Sequence, residues 1–255
     1  MNVFADAYSR RARSRARLSD RGFDPDAAVG GGLQILQFYE LLGIVASSEK
    51  AGQSPTHALS RLALQSGLPS GAADALFLAY NQQSAEEAGH GDKIFAHAYF
   101  ALGGAAPDAQ QSIFGDGGAA SSAVQPSADP EHNLQRLCEI AAVLGGIETV
   151  ALQRVLPFVS DVCVAWDHPI GRDLAAQIRD VVRPEESRHV LTFRYVFHQL
   201  VAPRGPAAIA AYMQATNTGR AQLGSPGLDS ASLKRLLGNS SPTVEQLLGK
   251  SRTLS

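Results

Sequence analysis

Two copies of a Glu-x-x-His motif constrain the fold of this 255-residue chain more than any other feature. The first copy is formed by Glu87 and His90, and the second, much later in the chain, by Glu186 and His189. Both copies lie in long stretches whose apolar residues recur every three to four positions, which predicts helices. Residues three apart share one face of a helix, so each motif presents a carboxylate beside an imidazole. This pair of groups is suited to holding iron or manganese.

Two further stretches with helical periodicity each carry a single glutamate among apolar residues. Glu40 lies within residues 33–46, and Glu148 lies within residues 134–159. When each predicted helix is followed in steps of three and four, all four glutamates and both histidines fall on the core-facing stripe. Burial of an ionised carboxylate without a partner is very costly. The pattern therefore predicts that a positive charge, namely bound metal, lies between these side chains.

The order Glu, Glu-x-x-His, Glu, Glu-x-x-His resembles the ligand set of the ferritin-like di-iron carboxylate proteins, in particular their oxygenase and oxidase branch, over roughly residues 30–203. The resemblance implies an all-α fold, a ferritin-like four-helix bundle with a long crossover and extra N- and C-terminal helices. It also implies two bound iron ions, with manganese as an alternative at one of the two sites. The metal-binding and catalytic residues implied are Glu40, Glu87, His90, Glu148, Glu186 and His189.

The resemblance extends to the acid that precedes each motif. In di-iron hydroxylases and acyl-carrier desaturases, this acid reaches across to the histidine of the opposite motif. By resemblance, Glu86 would orient His189, and Glu185 would orient His90. Arg188 matches the arginine that those families carry before the histidine, whereas the first motif has a glycine at that position.

Composition predicts three parts along the chain. Residues 1–29 are rich in arginine and form a basic N-terminal arm. Residues 30–203 form the di-iron bundle, and its crossover, 103–130, is rich in glycine, alanine, serine and proline. Residues 204–255 form a C-terminal helical extension and tail. The arm could touch RNA, a membrane surface or an acidic protein, or pack against a partner subunit.

Two prolines predict features of the later helices. Pro157 is expected to end the third bundle helix, leaving residues 158–169 as a connection. Pro184 lies inside the fourth helix, where it removes a backbone hydrogen bond. We therefore expect a kink or a bulge just before Glu186.

Composition also limits the partners of the protein. The net charge of −2 argues against a nucleic-acid-binding surface. No continuous apolar run approaches the roughly 20 residues that span a bilayer, and the N-terminus lacks the apolar core of a signal peptide. Two cysteines exclude a four-cysteine iron centre, so electrons would come from an external donor. We expect a cytoplasmic protein without membrane or nucleic-acid partners.

The resemblance leaves three functions open. The first is a non-haem di-iron oxygenase or oxidase, in which O₂ is used to hydroxylate, desaturate or oxidatively cleave a small organic substrate in a bacterial biosynthetic pathway. The second is iron storage with a ferroxidase centre, and the third is a tRNA-modifying hydroxylase. The arm, the crossover and the C-terminal helices favour the first, as a homodimer, because storage ferritins are shorter and have regular outer faces.

Overall fold

The structure is a computed structural model that describes residues 45, 46, 48, 55–101, 124–166 and 168–249. Within these residues the regular secondary structure is entirely helical, as the periodicity predicts. Glu40, the arm 1–29 and most of the crossover 103–130 lie outside the described residues. The predictions about them, and the division of the chain into an arm, a bundle and an extension, stay predictions.

The helices are numbered here in chain order, and the three longest helical runs contain π-helical turns. The short helices are α1 (55–64), α5 (Pro206–Gln222), α6 (Ser230–Leu237) and α7 (Val244–Leu247). Helix α2 consists of Ser70–Gly89, the π turn His90–Phe95 and Ala96–Ala101. Helix α3 consists of Pro130–Val150, the π turn Ala151–Val155 and Leu156–Trp166. Helix α4 consists of Pro169–Gln177, the π turn Ile178–Val182, Arg183–Val196, the π turn Phe197–Val201 and the 3₁₀ turn Ala202–Arg204.

Local sequence signals explain where the long helices begin. Asp129 caps α3 and His168 caps α4, since each side chain accepts a hydrogen bond from a backbone N–H of the first turn. A proline, Pro130 or Pro169, occupies the first position of each helix, where its missing N–H has no helical partner to lose. The starts of α3 and α4 are therefore explained by the capping residue and the proline that follows it.

Prolines inside the helical runs of α3 and α4 each follow a π-helical turn by two residues. The pairs are Ala151–Val155 with Pro157, Ile178–Val182 with Pro184, and Phe197–Val201 with Pro203. A wider turn makes room for the proline ring and lets neighbouring N–H groups find new carbonyl partners. For example, the N–H of Arg183 bonds to the carbonyl of Ile178, five residues earlier.

These π turns confirm one of the proline predictions and overturn the other. The distortion expected just before Glu186 is present as the turn Ile178–Val182. The expected end of the third helix at Pro157 is wrong, because the helix continues to Trp166. The connection predicted at 158–169 is accordingly mostly helix. The preceding π turn absorbs the distortion that would otherwise stop the helix at Pro157.

The chain divides into two compact units. Helices α2, α3 and α4 each have one part in the first unit and another part in the second. The described residues of the first unit fall in Met1–Lys50, Ala88–Gly115 and Leu152–Pro184. Its core is apolar and includes the fully buried Phe95, Leu156 and Ile178. The described residues of the second unit fall in Ala51–Glu87, Asp116–Ala151 and Glu185–Ser255.

Within the second unit, α3 and α5 cross so closely that their backbones touch. A Cβ atom on Gly146 would lie 2.2 Å from the carbonyl oxygen of Thr216, and one on Gly219 would lie 2.0 Å from the carbonyl oxygen of Val143. Such distances are far shorter than real Cβ contacts, so both positions require glycine. Helix α5 therefore belongs to the core packing of this unit.

The helical run Pro130–Ala165 is long and apolar enough, by length and composition alone, to cross a membrane. The expectation that the protein has no membrane partner stays a prediction. However, 56% of the run's most apolar stretch is buried inside the protein. Buried core helices of soluble proteins can be equally long and apolar. The run is thus weak evidence for a membrane span.

Candidate metal centre

Four side chains that the sequence marks as metal ligands lie together in the second unit. They are Glu87 on α2, Glu148 on α3, and Glu186 and His189 on α4. None of the four is more than 9% exposed, and one ligand atom from each lies within 4.8 Å of all the others. Donor atoms around one divalent ion, at about 2.0–2.6 Å from it, are separated by at most about 4–5 Å. The group could therefore hold a metal ion.

The expected ligand set has two further residues, Glu40 and His90. Glu40 lies outside the described residues. His90 is buried at the start of the π turn His90–Phe95, and it belongs to the first unit. A second metal position formed with Glu40 and His90 stays a prediction.

His189 lies between the carboxylates of the group and a further acid. Its Nδ1 atom is 3.3 Å from Oε1 of Glu87 and 3.3 Å from Oε2 of Glu186. Its Nε2 atom is 2.9 Å from Oε2 of Glu86. A histidine that binds metal through one ring nitrogen usually donates its other N–H to an acceptor, which fixes the orientation of the ring. Nδ1 is therefore the nitrogen that faces the carboxylates of the group, and Nε2 contacts Glu86. The role of Glu86 in orienting a metal-bound His189 stays a prediction.

Glu86 is itself held ionised by its neighbours. Arg188 donates from Nη2 to Oε1 of Glu86 at 2.5 Å, and Gln82 donates to the same oxygen at 2.8 Å. Burial opposes ionisation most strongly, but the hydrogen bonds from His189, Gln82 and Arg188 outweigh it and lower the pKa of Glu86 to about 2. Glu86 can thus accept a hydrogen bond from the Nε2–H group of His189 over the whole physiological pH range.

Arg188 also connects the site to the end of the described chain. A Cβ atom on Gly249, whose φ is +61°, would lie 3.0 Å from Cδ and 3.3 Å from Nε of Arg188. The backbone after α7 therefore packs against this guanidinium group. Glu185 lies 3.8 Å from Arg188, and its expected role toward His90 stays a prediction. No local sequence signal predicts the contact of Gly249.

Gln83 is a contact residue of the group to which the motif assigned no role. Its Nε2 atom donates to Oε1 of Glu148 at 3.0 Å and lies 3.5 Å from Oε1 of Glu87. It is 4% exposed. The available signal was its position one turn before Glu87 on the core-facing stripe of α2, where a polar side chain requires a partner.

Burial and the close approach of the carboxylates favour bound protons on Glu148 and His189. Burial, followed by the nearby carboxylates of Glu186 and Glu87, raises the pKa of Glu148 well above its ordinary value. Burial favours the neutral imidazole of His189, but the carboxylates of Glu186, Glu86 and Glu87 outweigh it and raise its pKa. Protons thus supply part of the positive charge that the buried carboxylates require.

We expect metal binding to release protons, and the affinity for metal to rise with pH. Glu148 and His189 both have raised pKa values, so each keeps its proton to a higher pH than an ordinary side chain of its type, and a bound metal ion must displace that proton. Titration calorimetry of Co(II) binding in buffers of different ionisation enthalpy measures this release. In the control protein His189→Ala, Co(II) that still binds should release fewer protons. A binding enthalpy that is the same in every buffer would contradict the prediction.

No protein family, curated protein or solved structure that was compared with this chain matches it. The candidate metal centre is therefore interpreted from its own donors and contacts.

Proposed function

We propose that this protein is a ferritin-like, non-haem di-iron oxygenase or oxidase that uses O₂ to hydroxylate, desaturate or oxidatively cleave a small organic substrate. The observation that carries the proposal is the buried group formed by Glu87, Glu148, Glu186 and His189. Three separate helices supply its donors, so the folded chain, and not a single loop, holds them together.

The donor set fits iron. Carboxylate oxygens suit Mn(II) and other hard ions, whereas imidazole also suits iron, and a site that mixes them is typical of non-haem iron and manganese. Three ionised carboxylates carry more negative charge than one divalent ion neutralises. The negative charge that remains favours a second ion nearby. By the resemblance, Glu40, Glu87, His90, Glu148, Glu186 and His189 would together hold two iron ions. The bound iron would supply electrons and a binding position for O₂.

The protein's own groups would orient the donors and exclude water. Hydrogen bonds from His189, Gln82 and Arg188 keep Glu86 ionised, and Glu86 accepts from Nε2 of His189, so that Nδ1 is left facing the carboxylates of Glu87 and Glu186. Burial of the four donors keeps bulk water away, which strengthens their interaction with a cation. These arrangements would preserve the same donor geometry through repeated turnovers.

Burial also favours an enzyme over an iron-storage protein. A storage protein passes iron through its oxidation site, whereas an oxygenase keeps its metal. Donors that are 2–9% exposed suit ions that stay in place. An external electron donor, a homodimeric assembly and a cytoplasmic location are further parts of this proposal, and they rest on the cysteine count, the additions to the bundle and the composition of the chain.

The experiment that tests the proposal loads the protein anaerobically with Fe(II) and then admits O₂. Iron retained per chain, O₂ consumed and the mass of the native assembly are measured together. The enzyme should retain about two iron ions per chain in a small oligomer. A shell of many chains that accumulates many iron ions per subunit would contradict the enzyme and support storage. Tight tRNA binding at physiological salt would instead favour the tRNA hydroxylase.

A further inference from the structure

Gln83 lies between two of the candidate ligands that come from different helices. It lies on α2, one turn before Glu87, and its Nε2 atom is 3.0 Å from Oε1 of Glu148 on α3. The same nitrogen is 3.5 Å from Oε1 of Glu87. One buried amide group thus faces a carboxylate oxygen of each helix.

An amide side chain suits the position between these two carboxylates better than an apolar or a cationic side chain would. An amide nitrogen carries two N–H donors, enough for one hydrogen bond to each carboxylate. Hydrogen bonds to ionised acceptors are stronger than those between neutral groups. An apolar side chain would leave the two carboxylates to repel each other without a donor. A lysine or arginine would neutralise their charge and compete with the metal. An amide holds the carboxylates and leaves their charge available.

We propose that Gln83 is a positioning residue that aligns Glu148 and Glu87 for metal binding. The N–H groups occupy one oxygen of each carboxylate on the side facing Gln83. These two oxygens, Oε1 of Glu148 and Oε1 of Glu87, also lie 3.8 Å and 3.3 Å from Nδ1 of His189. The N–H groups of Gln83 therefore orient the carboxylate edges that face the imidazole donor. This inference rests on the proposed function, since it assigns Gln83 a role toward the same metal site.

The test uses Gln83→Met, which keeps the length of the side chain and removes both N–H donors. Co(II) serves as the probe, because its absorption spectrum reports the ligands and its affinity is measured without any turnover. Loss of the donors should weaken Co(II) binding by roughly 10- to 100-fold, the usual cost of losing a group that orients a ligand. The Co(II) absorption bands should also change in position or intensity. The exposed Gln135→Met on α3 is the matched control and should bind Co(II) as the unaltered protein does.

A second variant keeps the test decisive if Gln83→Met does not fold. Gln83→Asn retains an amide but is one methylene shorter, so it no longer reaches Glu148 and should weaken Co(II) binding in the same way. Unchanged Co(II) affinity and spectrum in a folded Gln83 variant would overturn the inference and leave the proposed function intact. If the unaltered protein binds no Co(II) or iron, the proposed function fails, and the role of Gln83 fails with it.

Discussion

His189→Ala protein is expected to bind iron more than about 100-fold more weakly than the unaltered protein. The reason is that His189 faces Glu87 and Glu186 with Nδ1 and is the imidazole donor of the buried group. Losing even an outer hydrogen-bonding partner of a metal ligand costs roughly 10- to 100-fold in affinity, so losing the ligand itself should cost more. Metal analysis after equilibrium dialysis against Fe(II) under anaerobic conditions measures the effect.

His132→Ala is the matched control, because His132 is an exposed histidine on α3. Its iron content should equal that of the unaltered protein. Glu87→Ala should resemble His189→Ala, since Glu87 supplies one carboxylate of the same group. Full iron occupancy in both Glu87→Ala and His189→Ala would show that the metal binds elsewhere. A single zinc ion that both variants retain would lead to the same conclusion.

Gly219→Ala is expected to lower the free energy of unfolding by about 1–3 kcal/mol, the usual cost of overpacking a close contact. The added Cβ would lie 2.0 Å from the carbonyl oxygen of Val143, so α5 and α3 must move apart. Because α3 carries Glu148, the same substitution should also weaken metal binding. Urea denaturation followed by circular dichroism, together with Co(II) titration, measures both effects.

Gly71→Ala provides the control for the loss of a glycine inside a helix. Gly71 is exposed near the start of α2, and no described atom lies within 4 Å of the position of its Cβ. Alanine there should stabilise the protein slightly, by less than about 1 kcal/mol, because it restricts the unfolded chain. If Gly219→Ala is as stable as Gly71→Ala, the close crossing of α3 and α5 does not exist as described.

Helix starts and the helix faces that carry the candidate ligands could be predicted from the sequence, because both depend on interactions between near neighbours. Asp129 followed by Pro130 marks a helix start through a side-chain cap and a missing N–H within one turn. The spacing of Glu186 and His189 places both on one helical face. The convergence of these residues with Glu148 is implied by the resemblance to the ferritin-like ligand set, and the cost of burying carboxylates then predicts a positive charge between them.

The distant residues that support the candidate metal centre could not be predicted from the sequence. Gln83 is one of several polar residues on α2 until Glu148 is found 3.0 Å away. Gly219 weakens its helix by propensity and is explained only by the backbone of Val143. Gly249 contacts Arg188 across a long interval of sequence. Such contacts follow from the packing of whole helices against each other. Periodicity predicts which face of a helix is buried, but it does not predict which other helix covers that face. For the same reason, the sequence could mark the face of each ligand but not its neighbours.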